Sequence, residues 1–226
     1  SPRSGTHRVV FKKYLESIRS GSDSIKSNVV SWTRKMVLRD TRFYLLLPAV
    51  VATPMVATAF FFHHLNIAEV KQWDASWITG NYLLYAGTSI FTNVIAGSFI
   101  DRFSARKVFQ YTMFPLALAA LTIGLAGNHL WVLLYMVLLG LHVGFSQTAG
   151  SALMPELYGV EHLGSVKSMV SVLAVLSSAV GPVIIGMFID RGLAIQTICM
   201  LIASYVVLAN MLLVVALRIV PLSIEQ

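Results

Sequence analysis

The sequence predicts an all-α membrane protein in which six transmembrane helices form two inverted three-helix repeats. First, 56% of its residues are hydrophobic and only 12% are charged, whereas soluble domains carry about 25% charged residues. Second, six apolar segments are long enough to cross a bilayer as helices. Third, a short charged motif occurs twice, as Gly97-x-Phe99-Ile100-Asp101-Arg102 and as Gly186-x-Phe188-Ile189-Asp190-Arg191.

The chain begins with a basic segment, residues 1–42. Two apolar stripes at helical spacing run through it, and basic residues flank both of them. This pattern predicts short amphipathic helices lying on a membrane surface, and a disordered linker is the alternative. Gly21-Ser22-Asp23-Ser24 separates the two stripes, which consist of Phe11, Tyr14, Leu15 and Ile18, and of Ile25, Val29, Trp32 and Met36.

Six membrane spans follow this segment. Asp74 or Ser76 is expected to cap the second span, because short polar side chains favour helix N-termini. Gly127-Asn128-His129 forms the turn between the third and fourth spans, and residues 155–164 link the fourth to the fifth. The predicted spans are at about 43–62, 78–100, 108–127, 131–153, 168–189 and 193–217, with a tail at 218–226.

The distribution of Lys and Arg predicts the orientation. With the N-terminus inside, fifteen of the 17 basic residues lie on the inner side, and ten of these precede residue 43. Only Lys71 and Arg191 lie outside. The positive-inside rule therefore predicts cytoplasmic N- and C-termini in a multi-pass plasma (inner) membrane protein.

The two copies of the charged motif lie 89 positions apart, from Gly97 to Gly186. The first copy falls between spans two and three, and the second falls between spans five and six. Three helices separate them, so the copies lie on opposite faces of the membrane. Inverted repeats of this kind are typical of secondary transporters. Chance is the alternative, because Asp-Arg is a common way to end a span.

The first motif, Gly97-x-x-x-Asp101-Arg102-Phe103-x-Ala105-Arg106-Lys107, resembles the signature loop of the major facilitator superfamily. Gly181-Pro182 with Gly186 resembles the Gly-Pro element of that family's fifth and eleventh helices. Because family members have twelve helices in two halves, the resemblance implies that this chain is a C-terminal half preceded by the loop that joins the halves. Ser104 departs from the family pattern, which has Gly there.

The resemblance implies a secondary active transporter that moves a small solute by alternating access. The start of the first span is similar to bacterial monocarboxylate and oxalate/formate porters. The expected partners are the lipid bilayer, an N-terminal six-helix half or a second copy, and a solute that a proton could accompany. No cofactor, metal or nucleic acid is expected.

The sequence also allows two other classes of function to be compared with a transporter. A non-transporting membrane scaffold or sensor of the same fold remains the alternative to a transporter. An enzyme is not expected, because the sequence has no His-Glu-x-x-His, no Gly-x-Ser-x-Gly and no phosphate-binding Gly-rich loop.

Polar residues within the spans are the candidates for a solute cavity, because each is costly in lipid and tends to face a cavity or another helix. His142 is the one ionisable residue well inside a span, and Thr53-Pro54 could break the first helix. Interhelical hydrogen bonding is the alternative role for all of them. The candidate cavity residues are His142, Ser146, Gln147, Asn81, Tyr85, Thr88 and Thr58.

The remaining candidates concern gating and packing. By resemblance, Asp101 would help to close the inner face, with Arg102, Arg106 and Lys107 as partners and Gly97 at the turn. Gly181, Pro182 and Gly186 are expected to pack helices. Gly140, Gly144, Gly181 and Gly186 are together expected to form a face that awaits a partner. His63-His64 is expected to end a helix at the water.

Overall fold

The computed structural model describes residues 32–219. The first predicted surface helix and most of the second lie outside these residues. Six spans within the described part are long and apolar enough to cross a membrane, and α3 with α4 forms one of them. The helices are α1 (Arg34–Val37), α2 (Thr41–Val70), α3 (Ala75–Gly80), α4 (Tyr82–Phe103), α5 (Ala105–Leu125), α6 (Trp131–Tyr158), α7 (Leu163–Asp190) and α8 (Ile195–Arg218).

Aspartate side chains cap two of the helices. Asp74 caps α3 by accepting the Ser76 amide at 2.9 Å and the Ser76 hydroxyl at 2.7 Å. These two hydrogen bonds lower the pKa of the Asp74 carboxyl. Asp40 caps α2 in the same way, because its carboxylate accepts the Arg42 amide at 3.0 Å.

Two helices extend beyond their predicted ends. α2 continues to Val70 and α6 continues to Tyr158, past the predicted ends at 62 and 153. The polar residues His63 and Glu156 suggested helix ends at the membrane surface. In the structure both side chains find partners on other helices, so the backbone remains helical.

The described part of the second surface stripe is not one continuous helix. Thr33 is extended and caps the single turn of α1, so Trp32 precedes the helix and Val37 is its buried residue. The Trp32 amide donates to the Tyr158 carbonyl at 2.9 Å, and the two rings meet edge to face. The segment before α2 is therefore attached to the end of α6.

The inverted repeat is visible in both helix register and packing. Shifting the starts of the first three spans, at 41, 75 and 105, by 89 positions gives 130, 164 and 194, and the later spans begin at 131, 163 and 195. The packing follows the same exchange. The repeat relates α2 to α6, α4 to α7 and α5 to α8. The contact between α4 and α6 therefore matches the contact between α7 and α2, and the contact between α5 and α6 matches that between α8 and α2. The counterparts α5 and α8 also pack against each other.

The two ends of the bundle differ in charge. We call the end at which α2, α5 and α7 begin the basic end, and the opposite end the far end. At the far end the described basic residues are Lys71 and Arg191. The basic end carries Arg34, Lys35, Arg39, Arg42, Arg102, Arg106, Lys107, Lys167 and Arg218.

The turns of the two repeats are conformationally alike but chemically different. Gln72 and Ser104, in the first repeat, have φ of +54° and +73°, and they are the non-glycine residues with positive φ among residues 32–219. In the second repeat the matching turns contain Gly159 and Gly192, both with φ of +77°. Glycine adopts this conformation without strain, whereas Gln and Ser do not.

The burial of the spans is uneven. α5 and α6 are the most buried, whereas α4 and α7 are largely exposed. The core is built from small and aliphatic side chains, so the helices approach one another closely. Large apolar side chains cover the outer face of α4, including Leu83, Ile90, Phe91 and Val94. The exposed spans are therefore the ones at which the bundle meets lipid or another protein.

Candidate solute cavity

A cavity of about 680 Å³ lies between α2, α4, α6 and α7. Its volume falls within the range of about 300–1,000 Å³ that small-molecule sites occupy. Most of the wall is apolar, and α5 contributes Phe109. The polar residues that line the cavity are Thr53, Thr58, Tyr85, Ser146, Gln147, Ser151, Lys167 and Ser171.

Four of the candidate residues meet on this wall. Thr58 comes from α2, Tyr85 from α4, and Ser146 and Gln147 from α6. The Tyr85 ring packs edge to face on Phe61, with centroids 5.0 Å apart, and Phe61 also lines the cavity. The packing of three helices thus brings together polar residues that are distant in sequence.

His142 lies behind the wall rather than on it. Its side chain is fully buried and is not part of the cavity lining. Its Nδ1 atom is 2.6 Å from the Thr112 carbonyl oxygen on α5, and its Nε2 atom is 3.0 Å from Thr53 Oγ1 on α2. Thr53 Oγ1 in turn lies 3.1 Å from Ser146 Oγ. A chain of hydrogen bonds therefore connects the cavity wall to the buried imidazole.

Thr53 and His142 are 89 positions apart, which is the offset that relates the two repeats. The two residues occupy equivalent positions on α2 and α6, and their side chains hydrogen-bond to each other. The pair therefore lies where the two repeats meet, near the middle of both helices. Transporter sites are found at this depth and at this kind of repeat interface.

The candidate residues of the second span, which with Thr92 form a polar stripe at helical spacing, have different roles. Asn81 lies at the junction of α3 and α4, where its side-chain amide donates to the Trp77 carbonyl at 2.6 Å. Thr88 faces α6, because a Cβ added at Gly140 would lie 2.8 Å from Thr88 Cβ. Of the stripe, only Tyr85 lines the cavity.

The prolines of α2 do not unwind it. Pro48 and Pro54 both lie inside a continuous helix, and Pro54 lines the cavity. A proline removes one backbone donor, which leaves a carbonyl of the preceding turn free. A broken helix that exposes several backbone groups to a solute is not observed.

Glu156, rather than Asp101, is the carboxylate that meets a helix N-terminus at the basic end. It lies in the last turn of α6, and its Oε2 accepts the Ala105 amide, the first of α5, at 2.9 Å. Its Oε1 is 3.2 Å from Arg106 Nε. An acid at a helix N-terminus is favoured by the helix dipole. Glu156 therefore links α6 to the signature turn.

The other residues of the signature turn have few partners. Asp101 is exposed and makes no hydrogen bond or ion pair with any residue between 32 and 219. The Arg102 guanidinium lies 5.3 Å from the centroid of the Phe103 ring, and Lys107 is exposed. Gly97 faces open space. A gating contact by Asp101 stays a prediction that needs a partner from outside these residues.

Three of the four glycines expected to await a partner pack within this bundle, so that prediction was wrong for them. A Cβ added at Gly140 would lie 2.8 Å from the Tyr85 carbonyl oxygen, and one at Gly144 would lie 2.6 Å from that of Ser89. A Cβ at Gly181 would collide with the Met55 carbonyl on α2. Gly186 has only a distant neighbour. The carbonyl of Pro182 accepts a hydrogen bond from His63 Nε2 at 3.0 Å.

His64 belongs to a buried network near the far end, so the expectation that it meets water was wrong. It lies inside α2, its Nδ1 atom is 2.9 Å from the Tyr82 hydroxyl, and its Nε2 atom is 2.6 Å from the Tyr135 hydroxyl. Beyond it, Lys71 donates to the carbonyls of Gly124 and Ala126 at the end of α5, at 3.1 and 2.8 Å. Partial burial lowers the pKa of the Lys71 ammonium.

The described residues 32–219 contain no group of three or more His, Cys, Asp or Glu side chains that could hold a metal.

A family model described as the Major Facilitator Superfamily matches residues 43–224. A stretch of 128 residues is 30% identical to a tetracenomycin C resistance and export protein of Streptomyces glaucescens. That stretch is 57% of this chain and 22% of the relative, so the chain spans only about a fifth of the curated relative that it matches.

Proposed function

Because the chain belongs to the major facilitator superfamily, we propose that it is one six-helix half of a secondary active transporter that moves a small organic solute by alternating access. The arrangement of the cavity carries this proposal. Most of its lining comes from α2 and α6, which are repeat counterparts, and from α7, whereas α4 and α5 contribute one residue each, Tyr85 and Phe109. Transporters built from inverted repeats bind their solutes at such an interface.

A second six-helix half would complete the site. α4 and α7 are repeat counterparts, both line the cavity, and both are largely exposed. An N-terminal half placed against these two helices would close the open side of the cavity. Two bundles could then rock about a shared site, which a single bundle cannot do. A second copy of the chain is the alternative occupant.

The chemistry of the wall favours an uncharged or weakly polar solute. Lys167 is the one charged residue among those that line the cavity, and it lies near the basic end. The matched relative is named for resistance to and export of tetracenomycin C. We propose a small organic solute of this kind, transported by a protein of the plasma (inner) membrane whose basic end is cytoplasmic.

Transport by the intact protein containing both halves tests this proposal, with tetracenomycin C as the first solute. Ala57 and Ala174 line the cavity from α2 and α7, so we expect Ala57→Phe and Ala174→Phe to block transport in vesicles. The matched control is Met211→Phe on α8, a helix that does not line the cavity, where the side chain is 60% exposed. Equal transport by all three variants would show that the cavity is not part of the transport pathway.

The same assay addresses a non-transporting scaffold or sensor. Such a protein would bind a solute without moving it across the membrane. Binding by the wild type that is abolished by Ala57→Phe, together with no transport of any tested solute, would favour that alternative. Transport that depends on the cavity would exclude it.

A further inference from the structure

The hydrogen bonds of His142 define which of its nitrogen atoms carries a proton. The partner of Nδ1 is the backbone carbonyl oxygen of Thr112, at 2.6 Å, and a carbonyl can only accept a hydrogen bond. The Nδ1 atom must therefore carry hydrogen. In the neutral imidazole the other nitrogen is then an acceptor. Nε2 of His142 can accordingly accept a hydrogen bond from Thr53.

This assignment sets the direction of the whole chain. Thr53 has one hydroxyl hydrogen, which it donates to His142 Nε2 at 3.0 Å. The hydrogen between Thr53 and Ser146, whose oxygens are 3.1 Å apart, must then come from Ser146. Ser146 lines the cavity, and its only hydroxyl hydrogen is used in the bond to Thr53. What it offers to a solute is a pair of acceptor lone pairs.

A second serine on the same helix is in the same situation. Ser151 also lines the cavity and donates its hydroxyl hydrogen to the Thr148 carbonyl at 2.9 Å. Thr53, Ser146 and Ser151 therefore form an acceptor patch on one side of the cavity, with no hydroxyl hydrogen free to donate. Ser146 is buried, and a buried acceptor left without a donor is costly, so this part of the patch discriminates between solutes.

We propose that His142 is a positioning residue that determines solute specificity by fixing the direction of the hydrogen-bond chain. Through Thr53 it holds Ser146 as an acceptor, and the cavity therefore prefers solutes that present a hydroxyl or N–H donor to Ser146. This role rests on the proposed function, because it requires that the cavity binds the solute. His142 itself does not touch the solute. This differs from the expectation that it would do so.

The tautomer of His142 can be measured without any solute. The intact protein is labelled with ¹⁵N-histidine and studied by NMR in a lipid bilayer near neutral pH, and the His142 signals are assigned from their absence in His142→Gln. We expect a neutral ring with its hydrogen on Nδ1. A hydrogen on Nε2, or on both nitrogens, would reverse the chain and overturn the proposal.

Specificity is measured with two matched probes, 1-naphthol and 1-methoxynaphthalene, which differ in one hydrogen-bond donor. Equilibrium dialysis of the intact protein should show a preference for naphthol. Ser146→Ala should reduce this preference by about fivefold, the value of one ordinary hydrogen bond. His142→Phe should reduce it similarly, because Thr53 loses its acceptor and can donate to Ser146 instead.

Conservative and distant variants separate positioning from a structural role. His142→Gln keeps a donor and an acceptor, so it should retain the preference for naphthol, and Leu208→Ala on the exposed face of α8 should also retain it. An equal loss of affinity for both probes in His142→Phe would indicate a packing role alone and would refute the proposal. If neither probe binds the wild type, the cavity assignment fails, whereas the tautomer measurement still reports the direction of the chain.

Discussion

Replacing Ser104 with glycine should stabilise this protein, although glycine usually destabilises one. Ser104 is the single residue between α4 and α5, and its φ of +73° and ψ of 153° lie in a region that favours glycine. A non-glycine residue held in such a region costs about 1–3 kcal/mol. Its side chain makes no capping hydrogen bond that the substitution would remove.

The expected magnitude follows from two opposing terms. Relief of the backbone strain contributes about 1–3 kcal/mol, and the additional freedom of glycine in the unfolded chain costs about 0.5–1 kcal/mol. We therefore expect Ser104→Gly to raise the free energy of unfolding by about 1 kcal/mol. For a cooperative unit of about 150–250 residues, this corresponds to an increase of about 2–4 °C in Tm.

Thermal unfolding of the purified protein in detergent measures this effect, with Ser98→Gly as the matched control. Ser98 is an exposed residue inside α4 with ordinary helical geometry, so glycine there should lower Tm. Gln72→Gly, at the other non-glycine turn with positive φ, should raise it. A Tm for Ser104→Gly equal to or below that of the wild type would show that the turn is not strained.

Three further predictions concern the ends and the centre of the bundle. Glu156→Gln should lower the free energy of unfolding by about 1 kcal/mol, because it loses its ion pair and weakens a helix cap; chemical denaturation checks this, and the exposed Glu69→Gln should have almost no effect. Gly144→Leu should cost at least about 2 kcal/mol, because α4 must move away from α6; the same measurement would contradict this if stability were unchanged. Cysteines introduced at Lys71 and at Ser104 should react with impermeant reagents from opposite sides of the membrane, and labelling from one side would overturn the six-span topology.

Sequence reasoning was effective where lipid imposes a strong constraint on composition. The bilayer requires long apolar helices, and a repeated motif then indicates how they are related. The all-α architecture with six candidate spans and the inverted repeat are confirmed. The turn at Ser104 was singled out because glycine is expected there, and its positive φ gives the physical reason.

The features that sequence reasoning missed depend on contacts between distant segments. His64 and Glu156 suggested helix ends because each is polar. In the structure, tyrosines of α4 and α6 hydrogen-bond to His64, and the first amide of α5 donates to Glu156. These partners are distant in sequence and could not be identified from local sequence. The sequence places His142 well inside its helix, and it lies within α6. The direction in which it points depends on the rotation of α6 about its own axis, which only packing against α5 reveals.

The exchanged packing of the repeats also has a consequence for the order of assembly. α2 packs chiefly against α7 and α8, which belong to the other repeat and are synthesised last, whereas α6 meets α4 and α5 as soon as it is made. Membrane helices insert individually before they associate. We therefore expect α2 to remain in the bilayer without its main neighbours while the next three spans are completed. Thr53 can meet its partners on α6, the third of these spans, whereas His63 remains unpaired until α7 is made. The helix of this unit that is translated first is then among the last to acquire its neighbours.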